Sequence, residues 1–294
     1  MGKSDYFGGG IIESEFYMYW LDSIKEFNFY TYTKLMKCFE NSEKIYICSK
    51  NYYKFIKSLN SKNVKIEKKI LDILTNSNYK NECLKKFKIL KEKNIKIISI
   101  ENKLYPKFLL ELNLPMLCLY YKGDINLLNK NYKKVFIYNN GKNNNYYSYV
   151  LFNFYTTLLQ FENLLLLESS LNNNKVIKED IHINNVEFES LYYNKNKNLN
   201  NEYKLEILVD KEKYDFIYFY DVIACFSDFC LIPKADYNKF ITIYCDLMLE
   251  KGKDILVCPG GIYSHNTYFS NYLIKEGAKI VLNKNDVVDY IFEN

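Results

Sequence analysis

The sequence predicts an α/β chain in which a doubly wound, mostly parallel sheet follows a small all-helical domain. Three observations predict it. Apolar residues recur at helical spacing through the first eighty or so positions. From Ile95 onward, strand-length apolar runs alternate with longer amphipathic segments. Glycines stand where those segments end and the next run begins. Strands that alternate with helices pair in parallel, because a parallel pair needs a long crossover between its members.

Residues 1–14, opening MGKSDYFGGG, have no apolar core; they read as a disordered leader and not as a signal peptide. Residues 15–80 form the N-terminal helical domain, with helices expected over Glu15–Phe27, Thr31–Phe39, Asn51–Leu59 and Lys65–Leu74. The stretch 75–93 reads as a polar, lysine-rich helix or linker. Residues 81–294 form the sheet domain. Its runs are IKIISI, MLCLYY, VFIY, NLLLL, LEILV, FCLIP, DILVC and AKIVL, mostly apolar throughout, as in a sheet covered on both faces. Helix-sized segments lie between them at Ser148–Phe161, Tyr237–Glu250 and Thr267–Glu276. Gly252 and Gly277 fit helix C-terminal positions. The asparagine-rich stretches 139–145, 172–174 and 194–201 read as loops, and two of them follow apolar strands. Open α/β sheets bind ligands at such strand carboxyl ends.

With 294 residues and 48% hydrophobic content, the chain can bury one large core and a smaller one. No apolar stretch is long enough to span a membrane. Eight cysteines form no CxxC pair and, with no export signal, read as reduced core residues of a cytosolic protein. A zinc site is not expected, since neither His182 nor His265 has a cysteine at ligand spacing. The net charge of +5 permits a nucleic-acid partner without demanding one. All 40 basic residues are lysine, in a composition rich in Asn, Tyr, Phe and Ile that an AT-rich coding sequence supplies. Without arginine there is no bidentate fork for phosphate or guanine. Any nucleic-acid contact must use lysine point charges, amides, backbone N–H groups and aromatic stacking.

Two segments carry a resemblance. NIKIISIENKLYPKFLLELNLPMLCLYYKGD, residues 94–124, has a strand, a Tyr-Pro pair, a leucine, a proline and an L-Y-x-x-G-D end, supplied by Tyr105, Pro106, Leu109, Pro115, Leu119, Tyr120, Gly123 and Asp124. The C-terminal segment has a strand, Pro-Gly, a loop and N-x-L-I-x-x-G-A, supplied by Pro259, Gly260, Asn271, Leu273, Ile274, Gly277 and Ala278. Both resemble the DprA/Smf family of DNA-processing proteins. The match is thinner between them, at Tyr192, Asn196, Leu199, Ala224, Ser227, Asp228 and Ala235. Trp20, Leu21, Ile24, Leu35 and Phe39 fit the family's helical N-terminal region, of SAM or helix-hairpin-helix type. The resemblance covers about residues 16–294 and implies a Rossmann-like sheet domain. It also implies a cytoplasmic homodimer that binds single-stranded DNA and hands it to the RecA recombinase in natural transformation. The same resemblance implies competence and recombination as the setting, and a role without cofactor or catalysis.

The departures fall on functional loops. The family's G-S-R phosphate turn is replaced by Asn139, Asn140, Gly141 and Lys142, in which a glycine and a point charge survive. A glycine-rich run becomes ESSLNNNKV, residues 168–176. An R-N-R motif becomes Phe219, Tyr220 and Asp221, and two helix-hairpin-helix glycines become Glu26 and Asn28. The nucleic-acid-binding candidates are therefore Asn139, Asn140, Gly141, Lys142, Lys175, Lys195, Asn196 and Lys197, among Tyr146, Tyr192 and Tyr193. Spacing alone reads these as solvated loops in a lysine- and tyrosine-rich chain; the resemblance favours Lys142 and Asn196 as contacts.

Two other readings stand beside this one. The fold could persist in an interaction protein that has lost DNA. Alternatively Pro259-Gly260-Gly261 could belong to a nucleotide-processing enzyme of the wider superfamily, although no acidic residue follows before Glu276. His265 reads as polar surface, Trp20 as core, and Asp221, Asp228, Asp236 and Asp246 show no acid/base pairing. The nucleic-acid reading requires a sheet edge that its own tyrosines do not plug and that carboxylates do not line.

Overall fold

The computed structural model describes residues 6–7, 10–11, 13–129, 132–138, 145–161, 164–169, 179–184, 204–209, 213, 215–237 and 239–293. The chain divides into two compact units, Met1–Tyr121 and Lys122–Asn294.

In the first unit, two-residue strands β1 (Tyr6–Phe7) and β2 (Gly10–Ile11) pair antiparallel. Six helices follow: α1 (Ser14–Asp22), α2 (Phe29–Met36), α3 (Ser42–Cys48), α4 (Tyr52–Ser61), α5 (Lys68–Thr75) and α6 (Ser77–Glu92). Four begin on an asparagine cap, Asn28, Asn41, Asn51 and Asn76, whose side chain accepts a first-turn backbone N–H. Periodicity did not reveal α3, because the helix is only seven residues long. The 75–93 stretch is the helix α6: it buries Cys83 and Phe87 beside Lys80, and a division after residue 80 would cut through it. The expected runs IKIISI and MLCLYY are strands and close this unit. The strands β3 (Lys96–Ser99) and β4 (Cys118–Gly123) are antiparallel, with Ile97 opposite Tyr120 and Ile98 opposite Leu119.

This unit's core is aromatic. Trp20 is fully buried, edge-on to Tyr46 at 5.1 Å, and Phe16 packs against Phe87 at 5.6 Å. Buried hydroxyls find acceptors: Tyr120 donates to Asp22 Oδ2 (2.6 Å) and Tyr105 to the Met116 carbonyl (2.6 Å). Glu101 accepts from the Ser42 N–H (2.7 Å), the Ser42 hydroxyl (2.8 Å) and the Tyr32 hydroxyl (3.0 Å), tying α2 and the start of α3 to the end of β3.

The second unit contains β5 (Lys133–Ile137), α7 (Asn145–Leu158), β6 (Leu164–Ser169), β7 (Glu179–Asn184), β8 (Lys204–Val209), α8 (Phe216–Phe226), β9 (Phe229–Ile232), α9 (Lys239–Glu250), β10 (Asp254–Val257), α10 (Tyr268–Lys275), β11 (Lys279–Ile280) and α11 (Lys284–Glu293). Its strands run in the order β11-β10-β9-β5-β6-β7-β8. The first five are parallel, and β7 and β8 continue antiparallel. The expected Rossmann-like, mostly parallel sheet is thus present. Strand β7, with sequence EDIHIN, is an addition, hidden by its charged residues from a search for apolar runs.

Side-chain alternation makes the sheet doubly wound. Val135 and Ile137 face a cluster with Leu151, Phe154 and Leu158 of α7 and Val287 of α11, while Phe136 meets Tyr244 of α9 at 4.9 Å on the opposite face. Gly252 and Gly277 follow α9 and α10 with φ of +66° and +104°, the left-handed positions expected of them.

Candidate nucleic-acid interface at the carboxyl edge of the sheet

Numbered along the chain, the five parallel strands run β6-β5-β9-β10-β11, a 2-1-3-4-5 order. The order reverses between β5 and β9, and ligands of open α/β sheets bind at the strand carboxyl ends beside such a switch point. The chain leaves β5 through Tyr138, leaves β9 through 233–237, and leaves β10 through 258–267.

Tyr147, in the first turn of α7, donates its hydroxyl to the Pro233 carbonyl at 3.1 Å. It thereby links the helix that follows β5 to the loop that follows β9, across the switch point. Lys234 is buried with its ammonium 4.2 Å from the centre of the Tyr147 ring. Tyr138 is buried beside Asp236; burial first, and that carboxylate second, raise its phenol well above the usual range. Farther along the edge, the Ala235 N–H donates to Ser270 Oγ (2.7 Å) and the Ser270 N–H donates to the Ala235 carbonyl (3.2 Å). Among the described residues the floor of this edge is therefore closed by its own side chains, Tyr138 and Tyr147 included, so the condition that its tyrosines leave the edge open is not met in the floor itself. A ligand there has to lie on it.

Gly260, Gly261 and their neighbours form a rigid turn. The Gly260 N–H donates to Asn271 Oδ1 (3.0 Å), and Asn271 Nδ2 donates back to the Gly260 carbonyl (3.1 Å). Thr267 Oγ1 donates to the Gly261 carbonyl (3.1 Å), and a Cβ on Gly260 would lie 2.3 Å from the Thr267 side chain. The turn thus holds its tip, Ile262 (78% exposed) and Tyr263 (92% exposed), out in water. Tyr237 (72%) after β9 and Tyr146 (68%) at the start of α7 are also exposed. Three exposed phenol rings thus follow three adjacent strands, β5, β9 and β10.

The candidates Asn139, Asn140, Gly141, Lys142, Lys175, Lys195, Asn196 and Lys197, with Tyr192 and Tyr193, lie outside the described residues. So do residues 170–176 of the rewritten glycine-rich run, while the R-N-R and helix-hairpin-helix replacements have partners of their own. Phe219, Tyr220 and Asp221 are buried, and Asp221 pairs with Lys251 at 2.6 Å. Glu26 pairs with Lys69, and Asn28 accepts from the Thr31 N–H to cap α2. His265 is exposed in a short 3-10 turn. Among the described residues no group of His, Cys, Asp and Glu could hold a metal ion, and no helix is long and apolar enough to cross a membrane.

Sequence reasoning missed Lys234, Tyr138, Tyr147 and Ser270, whose meeting depends on strand order. Asn271 was named for its place in a motif, and its clamp on Gly260 gives that place a physical reason.

The structure of DNA processing protein A from Streptococcus pneumoniae matches 88% of this chain and 96% of its own, with a TM-score of 0.51 and 17% identity. This chain has the DprA fold. DNA processing protein A from Helicobacter pylori, solved for its single-stranded DNA binding mode, matches 67% of this chain and 96% of its own, with a TM-score of 0.46 and 16% identity. No protein-family model and no curated protein matches the sequence. Conservation of the DprA fold at such identity rests on packing patterns, since buried positions tolerate exchange of apolar residues that keep volume and period.

Proposed function

We propose that this chain is a DprA-like, non-catalytic binder of single-stranded DNA, with the strand lying across the carboxyl ends of β5, β9 and β10. The observation that carries the reading is the set of exposed tyrosines, Tyr146, Tyr237 and Tyr263, that follows those strands on the fold of a DNA-processing protein. A phenol face accepts any base, and stacking contributes about 1–3 kcal/mol per base. A closed floor suits a strand laid across the surface better than a nucleotide held in a pocket. Residues Asn139–Lys142, Lys175 and Lys195–Lys197 add backbone and lysine contacts to phosphate in this reading. A cytoplasmic homodimer that passes the strand to a RecA-type recombinase during transformation completes it.

The test is an anisotropy titration of the full chain with a labelled oligothymidine at two salt concentrations. Wild type binds, more weakly at high salt, and Tyr263→Ala weakens binding about 5- to 100-fold with little change in thermal stability. Absence of binding at low salt would remove DNA from this protein's function.

One observation favours a second reading, an interaction protein that keeps the fold without DNA. The Tyr147–Pro233 bridge and the buried Lys234 occupy the switch point where a phosphate would otherwise approach. Tyr147→Phe separates the two readings: removing the bridge improves oligonucleotide binding if the bridge obstructs the site, and leaves binding unchanged if the strand lies above it.

A further inference from the structure

Charge is divided unequally between the two units. Residues 1–121 contain 21 lysines and 13 carboxylates, a net of +8, while residues 122–294 contain 19 lysines and 22 carboxylates, a net of −3. The unit whose sheet edge carries the proposed DNA site is the negative one. Polyanions are attracted first by net positive surface.

Within the positive unit the charge is concentrated further. Residues 44–66 hold six lysines, Lys44, Lys50, Lys54, Lys57, Lys62 and Lys65, and no carboxylate. Lys44 is engaged by Glu40 at 2.7 Å. Lys54 and Lys57 are exposed on one side of α4, and Lys50, exposed in the turn before it, holds its ammonium 5.3 Å from the centre of the Tyr46 ring. Tyr53 lies on the same side, 85% exposed and edge-on to Tyr52 at 6.0 Å. The opposite side of α4 buries Phe55 and Leu59, so the helix cannot roll to hide this face.

Beneath the α3–α4 turn lies another cation. Lys80 is 5% exposed; its ammonium donates to Ser49 Oγ (2.7 Å) and sits over the rings of Tyr46 (4.9 Å) and Trp20 (5.1 Å). It has no carboxylate partner among the described residues. Burial first, and the Lys50 charge second, push this ammonium down to about 8. The Lys50 end of the face is thus positive from below as well as at its surface.

We propose that the outer face of α4, with Lys50, Tyr53, Lys54 and Lys57, is a second binding surface for single-stranded nucleic acid. The lysines neutralise successive phosphates and the Tyr53 ring stacks on an unpaired base. Lysine ammonium groups interleaved with an exposed ring fit a flexible strand whose phosphates and bases are both accessible. An acidic peptide would use the charges and leave the ring without a role.

The test uses the full chain and a labelled 20-nucleotide oligothymidine. Replacing Lys50, Lys54 and Lys57 together by Gln is expected to weaken binding at least tenfold at low salt. It is also expected to lower the slope of log affinity against log salt by about 2, the release expected for three contacts on a single strand. Tyr53→Ala is expected to weaken binding about five- to tenfold with the salt slope unchanged, and Tyr53→Phe to restore it. All four positions are exposed, and far-ultraviolet circular dichroism verifies that the helices persist. Unchanged affinity and slope in the triple variant overturn this surface alone. Equal losses for oligothymidine and a polyglutamate peptide of the same length overturn the nucleic-acid assignment in favour of a general polyanion surface. Failure of wild type to bind at low salt overturns this surface and the sheet-edge reading together.

Discussion

The helical unit and one face of the sheet unit solve the packing problem with different materials. The helical unit fills its core with rings, Phe16, Tyr17, Trp20, Phe27, Tyr46, Phe55 and Phe87, whereas the cluster on the sheet unit's α7–α11 face is built mainly from Val135, Ile137, Leu158, Leu164, Leu166, Leu231 and Leu256. Helices meet as cylinders 8–10 Å apart, and rings bridge the irregular gaps between them. Parallel strands present a regular pleated surface that branched aliphatic residues cover evenly. The two units treat polar groups alike. In the helical unit, Tyr32, Tyr79 and Tyr120 each direct a hydroxyl to a named acceptor, Glu101, the Ser23 carbonyl and Asp22. In the sheet unit, Tyr147 and Tyr290 do the same with the Pro233 carbonyl and Asp254.

The largest expected effect tests this contrast. Trp20→Ala should cost about 4 kcal/mol and Leu166→Ala about 3 kcal/mol in urea denaturation, since each deletion leaves a cavity. The contrast breaks if the tryptophan deletion is the cheaper of the two. Glu101→Gln comes next. Gln presents one carbonyl oxygen where the carboxylate presents two, so the Ser42 and Tyr32 donors can no longer all be matched, at about 1–3 kcal/mol. Loss of less than half a kilocalorie would show that water replaces the carboxylate.

The smallest effect is a pH dependence. The unfolded chain keeps the Lys80 proton to about pH 10.4, while the folded chain releases it near 8. Between those values the unfolded state binds more protons, so stability from this group rises with pH, by up to about 1.4 kcal/mol per unit. Below pH 8 the penalty of burying the charge is fully present. In melts at pH 7.5 and 9.5, wild type should therefore gain stability relative to Lys80→Met. Parallel pH profiles for the two proteins would show that Lys80 is hydrated.

Much of this architecture is legible along the chain because it is written in short-range periods. Runs such as VFIY and DILVC coincide with β5 and β10, and Gly252 and Gly277 end helices in the left-handed conformation. The motif residues Tyr105 and Asn271 proved to be a buried hydroxyl donor and a backbone clamp. Local signals failed where an element was short or charged, as in α3 and β7; they found β3 and β4 but not that the two pair antiparallel. At the site, sequence pointed to loops that follow strands. It could not show that Tyr147 reaches Pro233 or that Lys234 is buried beneath that ring, because strand order, which no single segment encodes, brings those residues together.

By itself, then, the sequence determined the period of each element, the helix stops and the lysine-only chemistry open to any phosphate contact. Those depend on neighbours a few residues away and on composition. Only the tertiary structure decided which rings are exposed at the sheet edge, which lysine is buried beneath the α3–α4 turn, and that the positions of the R-N-R motif serve the core. Those outcomes follow from contacts between residues far apart in the chain, and burial, which sets their chemistry, is a property of the packed molecule.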